Sequence, residues 1–183
     1  LFDLERMIHD KSSRVVATQQ AQQQVCDKQR DVYESHRHRV FALAFYMTGS
    51  EIEAEEILTT TFVDAFRTAA EPQGALVDAA LVERLRERFP LEHVASLTDL
   101  KSVAGGAHLS GRNVRRTDLE EAIQELPPAE RLLFLLRDVE GYTPSAISQL
   151  LDMPEAKVQR GLLAARIRLR QALAAQAEQP QAA

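Results

Sequence analysis

Within residues 126–173 helical apolar spacing is cut so often by stop signals that few folds can hold the segment. Pro127 and Pro128 break the chain before a run that places Leu132, Leu135, Leu136 and Val139 on one side at helical spacing, and Gly141 ends that run. Thr143 is a natural N-cap, with Pro144 at the first helical position, where proline's missing N–H costs nothing. Ile147, Leu150 and Leu151 supply the buried side of a short helix. After Asp152, Met153 and Pro154 comes a longer helix with the buried line Val158, Leu162, Ala165, Leu169 and Leu173. A short helix, a tight turn and a longer basic helix form a helix-turn-helix unit, whose second helix can enter the major groove of duplex DNA by its N-terminal residues.

The upstream sequence is also helical in pattern. Residues 1–48 hold neither Gly nor Pro and read as one long helix or two. The glutamine-rich stretch 18–24 has few apolar anchors, so residues 1–28 are read as an N-terminal extension, helical or disordered. From Val32 a stripe of Val32, His36, Val40, Leu43 and Met47 sharpens, and Gly49 stops it. Ser50 and Glu53 make a capping-box pattern for a second helix, whose apolar stripe is Ala54, Ile57, Leu58, Thr61, Phe62 and Ala65. A third helix, from about Ala75 to Phe89, aligns Val77, Leu81 and Leu85 and is limited by Pro90. Periodicity then fades among Gly105, Gly106, Ser110 and Gly111 until a second capping pattern, Thr117 with Glu120, opens a helix carrying Leu119, Ala122, Ile123 and Leu126. No stretch alternates like a strand. The expected fold is all-α: two small helical domains, 29–90 and 117–173, joined by a flexible linker, 91–116, with a disordered tail, 174–183.

Composition removes several function classes. Cys26 is the only cysteine, so neither an internal disulfide nor a thiolate metal site can form. His36 and His38, two apart on a helix, face different directions and make no metal pair, so no cofactor or metal is expected. No apolar run approaches the roughly 18 residues that a membrane span needs, and no signal-peptide pattern opens the chain, which points to a cytoplasmic protein. Paired carboxylates, a nucleophile with its base and a glycine-rich phosphate loop are all absent, so the chain does not read as an enzyme. The net charge of −5 excludes a protein that simply coats nucleic acid, and distribution matters more than the sum. Residues 51–64 carry Glu51, Glu53, Glu55, Glu56 and Asp64 with no base, whereas residues 157–170 carry Lys157, Arg160, Arg166, Arg168 and Arg170 with no acid. One pole suits a basic protein surface and the other suits phosphate.

LPPAERLLFLLRDVEGYTPSAISQLLDMPEAKVQRGLLAARIRLRQAL, starting at Leu126, resembles region four of the bacterial extracytoplasmic-function sigma factors. VYESHRHRVFALAFYMTGSEIEAEEILTTTFVDAFR, starting at Val32, is similar to region two of the same group. The resemblance implies a transcription initiation protein whose partners are core RNA polymerase, promoter DNA and an anti-sigma factor, with no membrane association. Region two would dock on polymerase through the acidic helix, at Glu55, Glu56, Ile57, Thr59, Thr60 and Phe62. Region four would bind the upstream promoter element, with Lys157, Gln159 and Arg160 off the buried line in the first turns and Arg166 and Arg168 further along.

The chain also departs from that group's pattern. Thr59 and Thr60 replace a common Gln-Glu, and Gly161 and Ala164 stand where basic residues are frequent, which is expected to thin the basic surface. Asp152 occupies a turn position where glycine is usual. Between Ala69 and Arg88 there is no aromatic side chain to receive an unstacked base, leaving only Arg84, Arg86 and Arg88 as phosphate contacts. Two rival readings follow: a sigma-like adaptor or decoy that binds polymerase or an anti-sigma partner without melting a promoter, and a helix-turn-helix repressor that dimerises through its first domain.

Overall fold

The computed structural model describes residues 2–68, 73–96 and 114–178, and every regular element among them is helical. In chain order they are α1 (Phe2–Thr48), α2 (Glu51–Thr68), α3 (Gly74–Arg88), α4 (Arg116–Glu125), α5 (Pro128–Phe134) with a π-helical turn over Leu135–Val139, α6 (Pro144–Leu151) and α7 (Glu155–Glu178). The all-α expectation is met. Residues 2–48 form one helix rather than two, and α7 continues past Leu173 to Glu178. Most of the expected linker and the end of the expected tail lie outside the described residues.

Gly49 ends α1 at a φ of +72°, a left-handed conformation that only glycine adopts freely. The Glu53 amide then donates to Ser50 Oγ at 3.4 Å, which is one half of the expected capping box. The other half is not formed: the Ser50 amide donates to Thr48 Oγ1, and the Glu53 carboxylate turns to Arg88. The second expected box is displaced. α4 opens at Arg116 with Arg115 as its N-cap, so Asp118, at the third helical position, accepts the Arg115 amide, and Glu120 pairs with Arg116.

α1 packs on α2 and α2 on α3, while α7 gathers α4, α5 and α6 around itself. Val40, Leu43, Met47, Ile57, Val77, Leu85, Leu132, Leu133, Leu135, Ile147 and Val158 are all buried in one continuous core that runs through both halves of the chain. Val139 corrects the sequence reading. It is 56% exposed rather than inward, because the π-helical bond from the Glu140 amide to Leu135 O widens the last turn and rotates Val139 off the apolar side.

Two polar devices join the halves. Arg131, 9% exposed, donates to Met47 O at 2.7 Å, Leu126 O and Gln124 Oε1 at 3.0 Å and Gln124 O, so one guanidinium satisfies carbonyls at the ends of α1 and α4. Elsewhere Arg39 of α1 donates to both Asp78 of α3 and the Tyr142 hydroxyl, which itself donates to Asp78 Oδ2 at 2.6 Å. Burial, followed by the adjacent Asp78 carboxylate, pushes the Tyr142 hydroxyl up to about 12, so it remains a donor throughout the ordinary pH range.

Arg131→Met should lower stability to chemical denaturation by about 2 kcal/mol or more, since hydrogen bonds from a charged donor are worth about 1.5–3 kcal/mol each and buried carbonyls would lose their donor. Arg131→Lys should recover little of this, because an ammonium lacks the planar fork that reaches both helix ends. A variant with either substitution that unfolds at the wild-type midpoint would show that the helix ends are satisfied without Arg131.

Candidate nucleic-acid interface

The α6–turn–α7 unit is built by local hydrogen bonds. Thr143 Oγ1 accepts the Ala146 amide at 3.1 Å and starts α6 ahead of Pro144. Asp152 ends α6 in the left-handed region at φ +49°, a conformation that short polar side chains tolerate where glycine would be strain-free. The Met153 amide then donates to Ser148 O at 3.0 Å and the Ser148 hydroxyl donates to Met153 O at 2.5 Å, which closes the turn. Ile147, Leu151, Val158 and Leu162 are buried, so the angle between α6 and α7 is fixed by packing.

This geometry displays the first turns of α7. Gln159 and Arg160 are exposed, Lys157 is half-buried, and neither Lys157 nor Arg160 has an ion-pair partner among the described residues. Gln159 is lightly held by Glu155 Oε1 at 3.2 Å. The later arginines are engaged. Arg166 donates to both carboxylate oxygens of Asp138, at 2.7 and 3.2 Å, and Arg168 Nε lies 3.0 Å from Oε2 of Glu130, which is 1% exposed. Gly161 and Ala164 are buried rather than gaps in a basic surface. A Cβ at Gly161 would collide with Leu133 Cδ1 and come within 3.0 Å of Val94 Cγ1, so a longer side chain has no room there.

The acidic pole lies on α2. Glu51, Glu53, Glu55, Glu56 and Thr59 are exposed and Thr60 is half-buried. Ile57, 1% exposed, and Phe62, 4% exposed, belong to the core, where helical periodicity turns them away from the acidic face. Thr59 and Thr60 bond back to Glu55 O and Glu56 O within the helix. The arginines of α3 are already committed. Arg88 bridges Glu53 and Glu56 at 3.1 and 2.6 Å, Arg86 donates to Leu151 O at 2.5 Å, and Arg84 pairs with Asp64 and Glu87. Sequence patterning missed these pairings, because each joins residues that are far apart in the chain or that share no apolar signal.

No group of three or more His, Cys, Asp or Glu side chains that could hold a metal ion occurs among the described residues. Among those residues no helix is long and apolar enough to cross a membrane.

Comparison with known proteins agrees with this geometry. Residues 116–169 match the family model of sigma-70, region 4, which spans α4 to most of α7. The chain is also 24% identical over 156 residues to the ECF RNA polymerase sigma factor SigE of Mycolicibacterium smegmatis. That similarity takes in 79% of this chain and therefore reaches into its N-terminal half, and it covers 61% of the relative, so the chain spans about three fifths of the length of the curated relative it matches. The region-four domain and the likeness to extracytoplasmic-function sigma factors drawn from the sequence are both upheld.

Glu130 is the buried carboxyl beside α7. Burial raises its carboxyl above the ordinary range, and the Arg168 cation and the Ala95 amide oppose that rise without overcoming it. The folded chain thus holds the proton more tightly than the unfolded chain, where a glutamate titrates at about 4.3. The stability contributed by this proton is complete below that value and is lost as pH rises through the folded value. Glu130→Gln keeps an acceptor for Ala95 and removes the titration. Its melting temperature should match wild type near pH 4 and exceed it increasingly towards neutrality; a constant offset across a pH series of thermal melts would remove Glu130 from the linkage.

Proposed function

We propose that this chain is a sigma-factor-like transcription initiation protein, cytoplasmic and non-enzymatic, that binds core RNA polymerase through the acidic face of α2 and promoter DNA through the first turns of α7. The observation that carries the reading is the region-four helix-turn-helix with Gln159 and Arg160 exposed at the start of its second helix. A docked recognition helix meets base edges with those turns, whereas residues further along meet phosphates. The acidic face supports a polymerase partner over the repressor reading, since exposed acids steer and orient a basic surface. An anti-sigma factor is a further partner that the likeness implies.

One observation favours the adaptor as a second reading. Promoter melting needs a surface that receives unstacked bases, yet α3 offers no aromatic side chain and its arginines are spent on intramolecular pairs. Transcription with core polymerase from duplex and premelted promoters separates the two: activity on the premelted template alone selects the adaptor.

Glu55→Lys with Glu56→Lys should weaken binding to core polymerase without loss of helicity; undiminished affinity at low salt would take α2 off the docking surface. Arg160→Ala should weaken binding to the cognate upstream element by about 1–3 kcal/mol more than binding to random duplex, the range for a bidentate base contact. Equal losses on both duplexes would make Arg160 a phosphate contact instead.

A further inference from the structure

Residues 91–96 leave α3 and cross onto α7. Leu91 is 2% exposed, Val94 is half-buried against Gly161, and the Ala95 amide donates to Glu130 Oε1 at 3.3 Å. Glu130 holds Arg168 with its other oxygen, at 3.0 Å. One buried carboxylate therefore ties the strap on one side and a cation of α7 on the other. Positions 157, 161, 164 and 168 fall on one flank of α7 at helical spacing. That flank carries Lys157 and Arg168, and between them the side chains are reduced to Gly161 and Ala164, which is 0% exposed. A Cβ at Gly161 would collide with Leu133 Cδ1 of α5 and come within 3.0 Å of Val94 Cγ1, so α5 and the strap both close on this glycine.

We infer that residues 91–96 are a built-in competitor for duplex DNA, seated on the Lys157–Gly161–Ala164–Arg168 flank of α7 and latched through Glu130 and Arg168. The inference rests on the proposed DNA-binding role of α7. In the seated state Arg168 is spent on Glu130 and Val94 covers Gly161 between the two cations, which leaves Gln159 and Arg160 to meet DNA alone. The strap and Arg168 share Glu130, and opening the Arg168–Glu130 pair and lifting Val94 off Gly161 both free the same flank, so release of the strap and engagement of the flank are coupled. Anything that pulls on the chain after Ser96 would then raise affinity for DNA.

The test uses the full chain and a mixed-sequence DNA duplex at low salt. Val94→Asp unseats the strap without touching α7, and Val94→Ala is a milder form of the same change. Removing the contact of a half-buried valine should tighten DNA binding about fivefold for Val94→Asp, and less for Val94→Ala, with helicity unchanged. In wild type the Ala95 amide should exchange slowly with solvent in the free protein and rapidly in the DNA complex. Ala95 protection retained in the complex overturns the proposal whatever the affinities. Equal affinities of wild type and both Val94 variants overturn it too, while DNA binding by α7 stands. If neither wild type nor variant binds duplex at all, the DNA reading of α7 falls and takes the strap with it.

Discussion

The end of a helix leaves carbonyl groups without donors and concentrates partial negative charge, so two such ends cannot be buried side by side without a cation that forks between them. Arg131 is that cation. It reaches the terminal carbonyls of α1 and α4 at once, from the first turns of α5, and all of its acceptors are carbonyl oxygens. Fixing the end of α1 fixes Gly49 and hence the direction in which α2 leaves. Fixing α4 against α5 sets the floor on which α7 lies. The two faces assigned to function, on α2 and on α7, are thus oriented through one buried side chain that touches neither.

Charge is segregated along the sequence, but the fold consumes part of each pole. Arg88 takes up Glu53 and Glu56, which leaves Glu51 and Glu55 as the acids of α2 without an ion pair among the described residues. Asp138 and Glu130 take up Arg166 and Arg168, which leaves Lys157 and Arg160 as the corresponding bases at the start of α7. Exposed pairs of this kind are worth about 0–1 kcal/mol and are broken readily by a better partner. The Arg168–Glu130 pair differs because its acid is buried, and releasing the arginine strands a charge away from water.

Much of this architecture was legible in the sequence, since it depends on local rules. Gly49, Thr143 with Pro144, and the buried lines of α2 and α7 stand where spacing and capping put them. What was not legible depends on contacts between elements. The π-helical turn that exposes Val139 leaves no periodic trace, and the box at α4 is displaced because Arg115 rather than Thr117 is the N-cap. The burial of Ile57 and Phe62 was itself legible, because both stand in the apolar stripe of α2.

The departures from the extracytoplasmic-function pattern divide by cause. Gly161 and Ala164 look like lost DNA contacts in a linear comparison, but in the fold both are buried, and the size of Gly161 is set by Leu133 and Val94. Burial takes both positions out of the exposed surface, so their smallness carries no independent evidence of weak DNA binding. Thr59 and Thr60 differ in kind. Their hydroxyls donate to carbonyls within α2, so their side chains add no net charge to a surface where a glutamate is common. Packing explains Gly161 and does not explain Thr59 and Thr60; the threonines therefore bear on the face of α2 proposed to dock, whereas the glycine bears on how α7 is held against its neighbours.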